Sequence, residues 1–106
     1  MNVQAVESIP VLAARVADAA RLMRLLSSER RLLVLCILLA RGEMSVGSLA
    51  EEVGLSQPAL SQHLAMMRAE GLVATRRAAQ TIYYRIADTK VEQVLEALHK
   101  VFCSQL

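Results

Sequence analysis

The two cysteines are the residues of this chain best suited to covalent chemistry. Cys36 lies in the apolar run LLVLCILLA, and Cys103 lies four residues after His99. A lone cysteine in an apolar helix is usually a small hydrophobic residue, whereas a partly exposed thiol beside a basic group is favoured as the thiolate. In a reducing compartment such a pair is inert core, a set of metal ligands or a redox switch. The residues alone leave all three open.

A second group of residues is suited to hydrogen bonding with the edges of bases. On the helix that we expect after Ser56, Leu60, Leu64 and Met67 form one apolar stripe, and small polar side chains lie outside it. A helix of this profile fits the major groove of DNA, which is about 12 Å wide. The candidate DNA-contacting residues of this segment are Ser56, Gln57, Ser61 and Gln62.

Basic side chains are concentrated in the same part of the chain. From residue 56 to residue 85 there are four arginines and one acidic residue, Glu70. This excess fits a surface that faces phosphates, but charge alone is equally typical of an ordinary solvated face. The further candidate DNA-contacting residues are Arg68, Arg76, Arg77 and the neighbouring Gln80.

Apolar spacing and capping residues predict the elements that position these side chains. Five helices are expected, at about residues 11–27, 28–41, 46–53, 56–69 and 89–104, and the second of them, apolar on every side from 32 to 39, is expected to be buried. Two β-prone runs, 72–75 and 81–86, flank a basic tip at 76–80. The predicted fold class is mainly α (α+β): a winged helix-turn-helix, with the helix-turn-helix at about 45–70 and the wing at about 72–87.

Length and composition bound the organisation of the chain. The 106 residues have room for one domain, 1–106, and a hydrophobic content of 55% is high for a small monomer. We therefore expect a homodimer formed through the helices at about 11–27 and 89–104. The apolar run around Cys36 is shorter than the roughly 20 residues of a membrane-spanning helix, and acidic Glu7 precedes any long apolar run. The expected location is the cytoplasm, without membrane association.

Residues 44–86 contain the turn EEVGLS, the segment LSQPALSQHL, the sequence RAEGLV and the strand IYYRI. Together they resemble the ArsR family of bacterial repressors, and the resemblance covers nearly the whole chain. It implies a winged-helix homodimer that binds pseudo-palindromic double-stranded operator DNA and leaves it when an inducer binds. It also implies that the recognition helix presents Gln57, Ser61 and Gln62 and that the wing presents Arg76, Arg77 and Gln80. His63 flanks the apolar stripe, so a structural hydrogen bond is expected there rather than a base contact.

The sensing sites of the best-known metal-binding members of that family are not matched. Cys36 is a single thiol where a Cys-x-Cys pair is usual, and Lys90 stands where a histidine is usual. We therefore expect no resident metal and no cofactor. One thiol in the second helix and one near the end of the last helix resemble a two-cysteine subgroup that senses persulfides or oxidants. This resemblance implies that a reactive sulfur species or an oxidant is the inducer, that Cys36 and Cys103 become bridged, and that the bridged form binds DNA poorly.

Other functions stay open at this point. A metal sensor would use Cys36, Cys103 and His99 together, and a constitutive DNA-binding regulator would use neither thiol. An enzyme is not expected, because the sequence has no nucleophile with a positioned base and no glycine-rich phosphate loop. A protein-interaction module that has lost DNA binding is the remaining alternative, and affinity for DNA that does not depend on salt would indicate it.

Overall fold

A computed structural model describes residues 8–103, and this part of the chain contains five helices and a small antiparallel sheet. The elements are α1 Ile9–Leu26, α2 Glu29–Arg41, β1 Met44–Ser45, α3 Val46–Val53, α4 Gln57–Ala69, β2 Val73–Ala78, β3 Thr81–Ile86 and α5 Thr89–Cys103. The winged helix-turn-helix fold predicted from the sequence is confirmed. Ser104, the predicted end of the last helix, lies outside the described residues.

Side-chain caps begin the helices where the sequence predicts them. The hydroxyl oxygens of Ser28, Ser45 and Ser56 each accept a hydrogen bond from a backbone N–H three residues later, at 3.3 Å. Asp88 caps α5 in the same manner, because its Oδ1 accepts from the Lys90 N–H at 2.8 Å. These contacts fix the boundaries of the elements that carry the candidate site.

The core lies between α2, the helix-turn-helix and the first half of α5. Its fully buried side chains are Val34, Leu35, Leu38, Leu49, Leu60, Leu64, Met67, Val91 and Leu95. The prediction that the whole run from 32 to 39 is buried was wrong at Leu33, which is 44% exposed. Within the single chain α2 packs on α1, α3, α5 and β3, and Leu33 lies on a side of the helix that these neighbours leave partly uncovered.

The sheet has the strand order β1-β3-β2. Strands β2 and β3 pair from Val73↔Ile86 to Ala78↔Thr81, so β2 runs through the arginines that the sequence analysis assigned to the tip. The predicted five-residue tip was wrong, because cross-strand pairing extends to residue 78 and leaves a turn of two residues. Ala79 in this turn has a φ of 55°. The short strand β1, which pairs with β3 at Tyr83 and Tyr84, has no signal in the sequence.

Apolar side chains of α1 and of the end of α5 are uncovered in the single chain. In α1 the only fully buried residue is Leu26, and the exposed fractions of Ile9 and Val16 are 73% and 55%. At the end of α5, Val101 and Phe102 are 72% and 78% exposed. Among residues 8–103, every helix is too short or too polar to span a bilayer.

Candidate nucleic-acid interface and thiol site

Helix α4 separates an apolar face from a polar face. Leu60, Leu64 and Met67 have no exposed surface, whereas the predicted contact residues of this helix lie on the surface. Those exposed residues are Gln57, Ser61, Gln62 and Arg68. The hydroxyl oxygen of Ser56 accepts the N–H of Ala59, which leaves its O–H as a donor for a ligand. The arrangement is a polar, low-relief helix face with hydrogen-bonding groups along its length.

His63 does not behave as expected. Its side chain is half-buried, but it makes no hydrogen bond with any residue of the described range. The apolar stripe beside it offers neither a donor nor an acceptor, which is the physical reason that the expected structural hydrogen bond is missing.

Arg76 in the wing is held by a carboxylate. Its Nε donates to the two carboxylate oxygens of Glu43 at 3.2 and 3.1 Å, and its Nη2 donates to one of them at 2.7 Å. The same guanidinium lies 4.9 Å from the ring centroid of Tyr83. The hydrogen bond from Arg76 lowers the pKa of the Glu43 carboxyl below its ordinary value. Glu43 has no signal in the sequence for this role, since it lies 33 residues from Arg76 and no local pattern joins them.

Arg77, the next residue, has a different environment. Its Nε donates to the backbone carbonyl oxygen of Ala79 at 3.2 Å, and within residues 8–103 it has no carboxylate partner. Gln80 lies exposed beside it in the two-residue turn. The positive charge at the end of the wing therefore comes from Arg77 more than from Arg76.

Two further ion pairs connect the helix-turn-helix to the helices outside it. Arg41 at the end of α2 donates to the carboxylate of Glu52 in α3 at 2.7 and 3.4 Å. Arg21 of α1 pairs with Glu70, the C-cap residue of α4. The carboxyl end of α2 is thus linked to α3 by Arg41 and, through Glu43, to the wing. Sequence patterns gave no signal for these pairs, which join different elements.

The thiol site lies where α2 faces α5. Cys36 and Cys103 are both free and half-buried. Burial raises the pKa of the Cys36 thiol, and the charge of Cys103 raises it further. A cavity of about 270 Å³ adjoins Cys36, and its lining residues are Cys36, Leu39, Ala40, Leu95, Glu96 and His99.

Metal ligation was the other chemistry considered for these residues. It would require Cys36, Cys103 and His99 to converge on one point. In the described range, 8–103, no three histidine, cysteine, aspartate or glutamate side chains are placed to hold a metal ion together.

Comparisons with known proteins match this architecture. The family model described as "Bacterial regulatory protein, arsR family" matches residues 28–75. "Transcriptional activator HlyU" of Vibrio cholerae is 48% identical over 82% of this chain and 80% of its own length, and the structure of its reduced form superposes with a TM-score of 0.83 at 44% identity, over 90% of this chain and 99% of that one. The "Biofilm growth-associated repressor" of Xylella fastidiosa is 42% identical over 86% of this chain and 79% of its own length.

A similar domain from Mycobacterium bovis has been solved as a homodimer. It is described as a homodimeric winged helix-turn-helix DNA-binding domain of a possible ArsR-family transcriptional regulator. It is 33% identical to this chain, with a TM-score of 0.73, over 96% of this chain and 93% of that domain.

Proposed function

This chain belongs to the ArsR family of bacterial DNA-binding transcriptional regulators, and we propose that within it the protein is a dimeric repressor whose operator affinity falls when Cys36 and Cys103 are oxidised or persulfidated. The observation that carries the proposal is the placement of two free, half-buried thiols, Cys36 in α2 and Cys103 at the end of α5, on two helices that pack against each other. Its relatives are transcriptional regulators and not enzymes.

DNA binding is assigned to the exposed face of α4 and to the wing. Gln57, Ser61 and Gln62 present amide and hydroxyl groups that can address base edges in the major groove. The side chains assigned to the sugar-phosphate backbone are Ser56, Arg68, Arg76, Arg77 and Gln80. Arg76 shares its charge with Glu43, so Arg77 is expected to supply more of the phosphate attraction.

Homodimerisation is supported by the uncovered apolar side chains of α1 and α5. Burying residues such as Ile9, Val16 and Phe102 against a second copy removes apolar surface from water, which is favourable. Two recognition helices in a dimer read half-sites about one turn of DNA, or 34–36 Å, apart. A small change in their separation therefore weakens operator binding.

The sensing reaction can be written with a persulfide, RSSH, as the oxidant. The sulfur of Cys36 attacks the terminal sulfur of RSSH, and the S–S bond of RSSH breaks. RSH departs, and Cys36 now carries the transferred sulfur as a persulfide. The sulfur of Cys103 then attacks Sγ of Cys36, and H₂S leaves with the proton of Cys103. In sum, RSSH and two thiols give one disulfide, RSH and H₂S. With hydrogen peroxide as the oxidant, the same bridge forms through a sulfenic acid on one cysteine, and two molecules of water are released.

A bridge of this kind would bind α5 to α2, and α2 is the helix whose end is linked to α3 and the wing. Two ion pairs extend from the end of α2: Arg41 with Glu52 reaches α3, which packs on the recognition helix α4, and Glu43 with Arg76 reaches the wing. A change in how α2 and α5 pack is in this way expected to change the position of the reading elements.

Intact mass spectrometry paired with operator affinity tests the proposal. The reduced protein and the Cys103→Ser variant are treated with glutathione persulfide or with peroxide, and affinity for the protein's own promoter region is measured by fluorescence anisotropy. We expect the parent to lose two hydrogens or gain sulfur and to release DNA, and Cys103→Ser to bind DNA normally but not to release it.

Three results would contradict the proposal. One is release of DNA by treated Cys103→Ser. Another is a change in mass of the parent with no change in affinity. The third is insensitivity to both reagents together with stoichiometric zinc binding that weakens DNA binding, which would indicate a metal sensor.

A further inference from the structure

The cavity beside Cys36 has the size and lining of a site for a small electrophile. Its volume of about 270 Å³ is near the lower end of small-molecule pockets, about 300 Å³. Helix α2 contributes Cys36, Leu39 and Ala40, and α5 contributes Leu95, Glu96 and His99. A nucleophilic sulfur and a basic side chain thus line the same solvent-open cavity from two different helices.

Cys36 needs a proton acceptor before it can react. The thiolate, not the thiol, is the nucleophile in sulfur exchange, and burial of Cys36 disfavours its thiolate by raising the pKa of the thiol. Besides Cys36, the titratable groups that line the cavity are Glu96 and His99, and α2 adds only Leu39 and Ala40. At neutral pH an imidazole is the side chain that most often acts as a general base, whereas a carboxylate is a much weaker acceptor for a thiol proton.

We infer that His99 accepts the thiol proton of Cys36 as this sulfur attacks an electrophile held in the cavity between α2 and α5. The inference deepens the proposed function and rests on it. His99 also lies four residues before Cys103, which is one turn of the same helix. The imidazole therefore lines the cavity beside Cys36 and lies on the same helix as Cys103.

The proton then has a defined path through the first step. It passes from the Cys36 thiol to the His99 imidazole as the new S–S bond forms, and from the imidazolium to the departing RS⁻, which leaves as RSH. His99 ends the step in its starting state, and Cys36 carries the transferred sulfur. Electrons and protons balance without any group other than the persulfide and the chain's own residues.

The reactivity of Cys36 alone tests this inference, without DNA and without a bridge. In a Cys103→Ser background, the rate of alkylation by iodoacetamide is followed by intact mass at pH 7 and at pH 10. His99→Gln keeps the approximate size of the side chain but removes the base. Lys100→Gln is the matched control, because it removes a positive charge from the adjacent exposed position, which does not line the cavity.

We expect His99→Gln to react about tenfold more slowly at pH 7, which is less than a rigidly preorganised base contributes. Lys100→Gln should react at the parent rate. At pH 10 the three proteins should converge, because the thiol loses its proton to hydroxide without help. Equal rates for His99→Gln and the parent at pH 7 would overturn the inference. A lower alkylation rate of His99→Gln that persists at pH 10 would also overturn it, since that result indicates altered access of iodoacetamide to Cys36.

The outcome is separable from that of the proposed function. If His99→Gln slows alkylation of Cys36 but thiol oxidation does not change operator affinity, the assignment of His99 as proton acceptor is supported and the proposed repressor switch is contradicted. If His99→Gln is alkylated at the parent rate but oxidation of the parent releases DNA, the repressor switch is supported and the role of His99 is contradicted.

Discussion

Both carboxylate oxygens of Glu43 accept hydrogen bonds from the guanidinium of Arg76, which joins the turn after α2 to the second strand of the sheet. Adjacent arginines of one strand therefore differ in kind. Arg76 is part of the internal support of the wing, stacked over Tyr83 and paired with an acid, whereas Arg77 has no carboxylate partner within residues 8–103.

This difference predicts unequal contributions to DNA binding. Arg77→Gln should weaken binding to all DNA sequences and lower the slope of log affinity against log salt concentration by about 1. Arg76→Gln should lower that slope by less, since its charge is already compensated in the free protein. Fluorescence anisotropy over a range of salt concentrations measures both slopes, and equal reductions would contradict the prediction.

The same ion pair predicts a pH dependence of stability. Because Arg76 lowers the pKa of Glu43 in the folded chain, the pair stabilises the fold at pH values above the ordinary carboxyl range and is lost as pH falls through the lowered pKa. The melting temperature of the parent should exceed that of Glu43→Gln near pH 7, and the difference should shrink progressively as pH falls below about pH 5 and through the lowered pKa of Glu43. Glu51→Gln, at an exposed position of α3, should show no such window. A difference that stays constant down to pH 3 would assign the effect of Glu43→Gln to something other than its charge.

The exposed face of α4 predicts a change of specificity when Gln62 is truncated. Gln62→Ala should bind the operator more weakly and reduce discrimination against altered bases at one position by about 1–3 kcal/mol. Gln93→Ala, an exposed glutamine of α5, serves as the control and should leave the binding profile unchanged. Binding to a panel of single-base operator variants measures this. An unaltered profile for Gln62→Ala would move the recognition surface away from this face.

The uncovered end of α5 predicts the effect of a polar substitution on assembly. Phe102→Ser removes one large apolar side chain from each subunit, about 3 kcal/mol for two side chains, and should weaken the dimer by more than about a hundredfold. Ile82→Ser changes another exposed apolar residue, 42% exposed in the wing, and should leave the dimer intact. Sedimentation velocity over a dilution series compares the two. Dimers of undiminished stability in Phe102→Ser would place the interface elsewhere.

Local signals account for what the sequence could predict. Ser28, Ser45 and Ser56 cap the helices that follow them because a serine oxygen satisfies a backbone N–H within its own turn, and such a contact needs no distant partner. The apolar stripe Leu60, Leu64 and Met67 is likewise set by helical spacing alone. Both faces of α4 followed from that spacing.

Contacts between distant segments account for what it could not. The pairing that extends β2 through Arg76 and Arg77 depends on β3, so the basic run resembled a loop when considered alone. Glu43 acquires its role from a residue 33 positions away, and the cavity beside Cys36 exists only once α2 and α5 are packed. The exposure of Leu33 likewise depends on how the other elements pack around α2, which helical spacing alone does not determine.

The ion pair between Arg21 and Glu70 provides a physical link between dimerisation and operator binding. It joins α1, whose apolar face we assign to the dimer, to the residue that ends α4. If the position of one helix affects the other, coupling between the two events is reciprocal: the factor by which dimerisation raises operator affinity equals the factor by which the operator tightens the dimer. Operator DNA would then act as an agent of assembly, and occupancy at low protein concentration would depend on dimers that form on the DNA itself.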